Sequence, residues 1–167
     1  VRPANFSSNI ETLKSNNFQE GLQKTDSKNN IQSLALIEFE KMLRILRDHK
    51  ITVIDIDDIK ELNNTDAIFP NNWVTFHHDG TVVLYPMMSP KRRKERRHDI
   101  IESLSSNGLF IDNIIDISSL ENTEHYLEGT GSMILDRVNK KAYACLSSRT
   151  TMEAIISFSN AMYYDII

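Results

Sequence analysis

Two stretches of the chain run through the same succession of patterns about 60 residues apart, and this repeat limits the fold more than any other feature. In the first copy, Asn72-Trp73-Val74-Thr75-Phe76-His77-His78 reads as a strand. Asp79-Gly80 reads as a two-residue type I′ turn, which needs positive φ at both positions, and Thr81-Val82-Val83-Leu84-Tyr85-Pro86 returns. Ser89-Pro90 offers a helix N-cap followed by a proline at the first helical position. That helix is expected to continue to about Asn107, with Gly108 as its stop, before a strand over 114–117. The second copy places a strand over 131–136, a turn over 137–140, a strand over 141–146, a helix over 150–161 and the opening of a further strand over 162–167. A strand–turn–strand–helix–strand unit cannot cover its own sheet, so repeated units point to an arrayed or propeller-like α/β architecture.

Ahead of the repeat, residues 7–30 are polar with little periodicity and are expected to form a loop or flap. Over 32–49 the apolar residues Leu34, Ile37, Met42, Ile45 and Leu46 recur at roughly helical spacing. The β-branched run 51–56 predicts a short strand. Asparagine is frequent throughout, and the pairs Asn16-Asn17, Asn29-Asn30 and Asn63-Asn64 read as loop filler.

Composition narrows the class. The chain has 167 residues, 40% of them hydrophobic, enough for a sizeable core. Nineteen Lys and Arg stand against 23 Asp and Glu, a net charge of −4 that argues against non-specific binding of nucleic acid by the chain as a whole. No apolar run is long enough for a membrane span, which needs about 18 residues or more. The first residues, Val1-Arg2-Pro3-Ala4-Asn5, lack the apolar core of a signal peptide. A single cysteine excludes an internal disulfide framework and a cysteine-rich zinc site, and a cytoplasmic setting is expected. A start at Val1 and an end inside a repeat suggest a piece of a longer domain.

Four segments are candidates for chemistry. Asp66-Ala67-Ile68-Phe69-Pro70-Asn71-Asn72-Trp73 is either a turn entering a strand or a set of carboxamides and an aromatic wall for a small polar substrate. Pro90-Lys91-Arg92-Arg93-Lys94-Glu95-Arg96-Arg97-His98 could be a solvated helix face or a nuclear-localisation patch. Cations at a helix N-terminus oppose its dipole at about 0.3–1 kcal/mol each, so at least one arginine is expected to meet an anion, a carboxylate being the natural match for its fork. Leu127-Glu128-Gly129-Thr130-Gly131-Ser132 sets a carboxylate among glycines that let backbone approach a ligand closely, and it is not a nucleotide fingerprint. Leu146-Ser147-Ser148-Arg149-Thr150 is a helix-capping segment or a second arginine aimed at a substrate. Cys145, in a strand of small and apolar residues, is expected to be an inert core thiol. His77 and His78 point to opposite faces of a strand, which spoils them as paired metal ligands.

Taken in order, Phe69-Pro70-Asn71-Asn72-Trp73, Leu84-Tyr85-Pro86-Met87, Arg92-Arg93-Lys94-Glu95-Arg96-Arg97, Leu127-Glu128-Gly129-Thr130-Gly131-Ser132 and Ser147-Ser148-Arg149-Thr150 resemble the arginine-deiminase-related amidinotransferase family, in particular its citrulline-hydrolase type. That family belongs to the pentein superfamily. The resemblance implies a pentein-type propeller of five ββαβ units. At about 60 residues each these need about 300, so this chain is expected to hold under three, as one partial domain over 1–167 with units near 1–60, 61–120 and 121–167.

The resemblance also implies roles. Glu128 falls on the catalytic acid that pairs with a histidine. Arg92 and Arg149 fall on the residues that hold the substrate α-carboxylate, and Phe69 on the aromatic wall of the pocket. Asp66 joins them as a substrate-binding candidate. Asn72 stands where arginine deiminases carry an Asp for the guanidinium. A neutral ureido group is better met by an amide, which both donates and accepts, so Asn72 tilts the expectation toward citrulline. The implied activity is hydrolysis of a non-peptide C–N bond through a covalent cysteine intermediate, with the cysteine and histidine supplied beyond residue 167. Arginine deimination or other guanidino chemistry is the alternative, and a non-catalytic pentein binding protein the second. The implied partner is a small amino-acid substrate, with no metal, organic cofactor, nucleic acid or membrane and with a homo-oligomer left open. The 167-residue piece alone is expected to be inactive.

Overall fold

A computed structural model of the chain describes residues 1–12 and 28–167. They gather into two compact bodies, one of Val1–Phe69 with Asp99–Asn107 and the other of Pro70–His98 with Gly108–Ile167.

The first body is built on helix α1, Lys28–Asp48, which buries Phe39 and Leu43 one turn apart. Asn29-Asn30 therefore opens a helix rather than filling a loop, and residues 13–27 of the expected loop, with Asn16-Asn17, lie outside the described residues. The strand expected over 51–56 does not form a ladder. The segment is extended but makes one parallel bridge, Arg2 to Asp57, with the Arg2 amide on the Ile56 carbonyl at 2.8 Å and the Asp58 amide on the Arg2 carbonyl at 3.1 Å. Pro3 follows and has no N–H to continue the pairing. The bridge is reinforced by side chains: Arg2 bonds Asp55 at 2.5 Å, and Arg47 reaches the same carboxylate. These two guanidinium groups hold the Asp55 carboxyl below its ordinary range. Helix α3, His98–Ser106, belongs to this body except for its first residue and buries Ile100 and Ile101.

The second body carries the repeat. Strands β1 (Val74–Phe76), β2 (Thr81–Leu84) and β3 (Asn113–Asp116) form a sheet in that order, antiparallel and then parallel, with Thr75 opposite Val83 and Val83 opposite Ile115. Strands β4 (Met133–Asp136), β5 (Lys141–Ala144) and β6 (Asp165–Ile166) form a second sheet of the same topology, with Ile134 opposite Tyr143 and Ala142 opposite Ile166. Helix α5, Met152–Met162, presses Ala154, Ile155, Phe158 and Met162 into a core with Val83 and Tyr85. Phe158 links the rings of Tyr85 and Tyr164 at centroid separations of 5.9 and 5.4 Å.

Three expectations are corrected in this body. The first turn is not type I′, because only Gly80 has positive φ, +83°. The Gly80 amide bonds the His77 carbonyl, so His78 and Asp79 are the turn centre and Gly80 the left-handed residue that rejoins the strand. The helix expected over 90–107 breaks in two: α2 is only Pro90–Arg93, and α3 begins at His98. The amides of Lys94, Glu95 and Arg96 bond carbonyls three residues back, tightening the turn until the helix ends. Residues Gly129–Ser132 form one helical turn, α4, so β4 starts at Met133 rather than Gly131. Ser89 caps α2 and Gly108 adopts φ +94°, as expected. Among the described residues no helix is long and apolar enough to cross a membrane.

Candidate active site

The second body brings four of the expected residues together. Leu127 is paired into the structure on both sides, its amide on the Pro86 carbonyl at 3.0 Å and its backbone bridged to Thr150. Glu128 follows it and is 1% exposed. The Glu128 amide donates to Ser132 Oγ at 3.0 Å, and its carbonyl accepts from the amides of Gly131 at 2.9 Å and Ser132 at 3.1 Å. Ser132 Oγ also donates to the Arg149 carbonyl at 3.3 Å and accepts from Thr150 Oγ1 at 2.8 Å, tying the glutamate turn to the arginine loop.

The Glu128 carboxylate receives three donors. Arg149 Nε lies 2.9 Å from Oε2, with Nη2 on the same oxygen, and the Met88 amide donates to Oε1 at 3.3 Å. Arg92 Nη1 stands 3.9 Å from Oε2. Arg92 itself is buried and grips Glu95 with both prongs, Nε to Oε1 at 3.0 Å and Nη2 to Oε2 at 2.9 Å. Its Nη2 also reaches Asn72 Oδ1 at 3.4 Å. Glu95, Arg92, Glu128 and Arg149 thus follow one another with alternating charge, and Asn72 is bonded to Arg92. Taking charges out of water is tolerable only when they are paired and hydrogen-bonded this closely.

The glycines on either side of Thr130 permit the close approach expected of them, and the group that approaches is the Pro70–Asn72 turn. A Cβ on Gly129, at φ +45°, would lie 2.3 Å from the Asn71 carbonyl oxygen; one on Gly131 would lie 2.2 Å from Asn72 Nδ2. Asn71 Nδ2 bonds Thr130 Oγ1 at 3.2 Å across the same contact.

The other two candidates lie in the first body. Asp66 is buried, with Asn9 Nδ2 on its Oδ2 at 2.9 Å. Phe69 is exposed on a groove of about 590 Å³ lined with Phe6, Leu34, Phe39 and Met42. Cys145 is corrected: it lies past the end of β5 with its thiol exposed, so it is not a core residue. His77 is buried and His78 exposed, but neither lies on a strand: β1 ends at Phe76 and His78 belongs to the turn. Burial, with Arg137 nearby, lowers the His77 pKa to about 4.

Several important residues were not identified from sequence. Glu95 had a signal, its spacing of three from Arg92. Ser132 stands inside the Leu127–Ser132 segment and bonds the Glu128 amide four residues back; Glu121 had none, because its partners lie far along the chain. Glu121 takes the fork of Arg96, Nη1 to Oε2 at 3.0 Å and Nη2 to Oε1 at 2.7 Å, and accepts the Met87 amide at 3.2 Å. With Arg92, Arg93 and Arg96 all turned onto the chain itself, the basic run is not a free cationic patch.

Solved structures share this fold. The substrate-bound N-terminal domain of ArgZ, an arginine dihydrolase from the ornithine-ammonia cycle in cyanobacteria, matches at TM-score 0.65 and 16% identity, over 91% of this chain and 50% of that one. A dimethylarginine dimethylaminohydrolase in adduct with S-methyl-L-thiocitrulline matches at TM-score 0.64 and 16% identity, over 88% and 53%. Unliganded AgrE matches at TM-score 0.61 and 19% identity, over 86% and 19%. The chain thus spans about half the length of the first two. No curated protein matches it. The family model described as "N,N dimethylarginine dimethylhydrolase, eukaryotic" matches residues 2–167, and the chain belongs to that family, within the pentein superfamily its motifs resemble.

Proposed function

We propose that the full-length protein is a hydrolase of the guanidino C–N bond of an arginine-type amino acid, arginine or an N-methylated arginine. The observation that carries this reading is the buried Glu128 carboxylate, held by Arg149 and approached by Arg92, which in turn bonds the Asn72 amide. A guanidinium needs a carboxylate beside it once it leaves water. Glu128 supplies that charge and, as the acid partner of a histidine, moves protons at the reacting carbon. Arg149 and Arg92 are the candidates for the substrate carboxylate, which would compete there with Glu128 and Glu95; Asp66 and Phe69 remain separate substrate-binding candidates. A cysteine thiolate beyond residue 167 adds to the guanidino carbon; the amine leaves with a proton. Water then cleaves the C–S bond to give citrulline and restore the thiol.

The second reading is hydrolysis of citrulline itself, and Asn72 favours it. A neutral amide can donate to a ureido oxygen and accept from a ureido N–H. The two readings differ in product. Full-length protein incubated separately with arginine, N,N-dimethylarginine and citrulline should release ammonia or dimethylamine from the first two, with citrulline accumulating. Ornithine from citrulline, with the other two inert, would establish the second reading instead. No turnover of any of them would leave the protein a non-catalytic binder.

A further inference from the structure

Glu121 lies outside the charge cluster, yet its contacts converge on the segment that meets Glu128. Its carboxylate is largely buried and takes both prongs of the Arg96 fork. The same Oε2 that receives Arg96 Nη1 accepts the Met87 amide at 3.2 Å. Arg96 Nη1 in turn donates to the Tyr85 carbonyl at 3.0 Å. Arg93 completes the clamp, with Nε on the Met87 carbonyl at 2.9 Å, Nη2 on the Met88 carbonyl at 3.4 Å and Nε 3.6 Å from Glu121 Oε2. Residues 85–88 leave β2 without a neighbouring strand for Met87 and Met88, so these side chains replace a ladder. The next amide along, that of Met88, donates to Glu128 Oε1.

We propose that Glu121 is a positioning residue for Glu128: with Arg96 and Arg93 it fixes the Met87-Met88 backbone so that the Met88 N–H holds one carboxylate oxygen in place. The inference rests on the reading of Glu128 as the catalytic acid. The clamp's bonds are to the backbone of residues 85–88, so it acts on the orientation of Glu128. A displacement of about 1 Å in a reacting group can cost on the order of 10²-fold in rate.

The test uses the full-length protein with Glu121→Ala, Glu121→Gln and Arg96→Lys, and reads two quantities. The first is amide hydrogen exchange at Met87 and Met88, with Val83 as the control inside β2. The second is kcat and KM on the substrate found active. In Glu121→Ala the two amides should exchange faster while Val83 is unchanged. Its kcat should fall on the order of 10²-fold with KM unchanged. Glu121→Gln, which keeps an acceptor for the Met87 amide, should recover most of kcat; Arg96→Lys, which loses the fork, should fall between. Wild-type kcat in Glu121→Ala would overturn the inference. So would a loss in which Val83 exchange rises equally, since that is general unfolding. If wild type turns over no substrate, the hydrolase reading fails, and the exchange at Met88 alone decides whether Glu121 holds this backbone.

Discussion

Gly131 lies against the carboxamide of Asn72 so closely that a Cβ would stand 2.2 Å from Nδ2. The glycine therefore makes room for the one side chain that most distinguishes the substrate readings. Gly131→Ala should push the Asn72 amide away from Arg92 and cost about 1–3 kcal/mol, the usual price of overpacking. Gly129→Ala should cost more, because its φ is +45° and its obstacle is the Asn71 backbone rather than a side-chain end. Denaturant unfolding of the two variants in the full-length protein checks the order; equal stabilities would show that the Asn71-Asn72 turn yields freely.

Arg92 and Glu95 are each buried and bonded to one another by both prongs of the arginine, so removing one takes a charge-assisted pair of hydrogen bonds from the other. Arg92→Ala should destabilise by about 3–5 kcal/mol, the range for breaking a buried pair, while replacing both with apolar residues of similar volume should cost far less. Thermal unfolding of the two single variants and the double variant measures this. Singles no worse than a surface substitution would show the pair to be solvated.

His77 gives the protein an acid limit. Its pKa falls from 6.5 to about 4 on folding. The unfolded chain therefore binds the extra proton first, and stability is fully present above about pH 6.5 and lost as pH falls toward 4. A shift of that size corresponds to roughly 3 kcal/mol at most. The neutral ring suits its neighbours: Arg137 Nη1 lies 3.2 Å from Nδ1, and Thr75 Oγ1 3.0 Å from Nε2. Unfolding free energy against pH should show this slope in wild type and a weaker one in His77→Asn. Identical slopes would place the acid sensitivity elsewhere.

The alternation in 74–84 and 133–144, the Ser89-Pro90 cap and the left-handed Gly108 are local signals, and the two ββαβ sheets follow from them. What the sequence concealed depends on distant partners. The run 51–56 has strand composition, but Pro3 beside its one bridge stops the ladder. The basic run reads as one helix in sequence because nothing local says that Arg93 and Arg96 will turn to carbonyls at 85–88 and to a glutamate at 121. Asn72, Arg92, Glu128 and Arg149 were named through a family resemblance, and they do assemble. Their mutual pairing, and the part of Glu95 in it, needed the three-dimensional structure.

Arg149 stands on Glu128 through Nε and Nη2. If the substrate carboxylate takes this arginine, Arg149→Ala should raise KM, at about 2–5 kcal/mol for stripping one partner from a buried charge pair. An unchanged KM in steady-state kinetics would confine Arg149 to a structural role.

The most direct measurement is turnover by the full-length protein with Glu128→Gln, which keeps the size and shape of the side chain, removes its charge and leaves one accepting oxygen where the carboxylate has two. Guanidino hydrolysis of arginine or N,N-dimethylarginine should fall by about 10²–10⁴-fold, the range for losing a general acid or base, with the protein still folded. Wild-type turnover by a folded Glu128→Gln variant would contradict the assignment of Glu128 and, with it, the active site built around Asn72, Arg92 and Arg149.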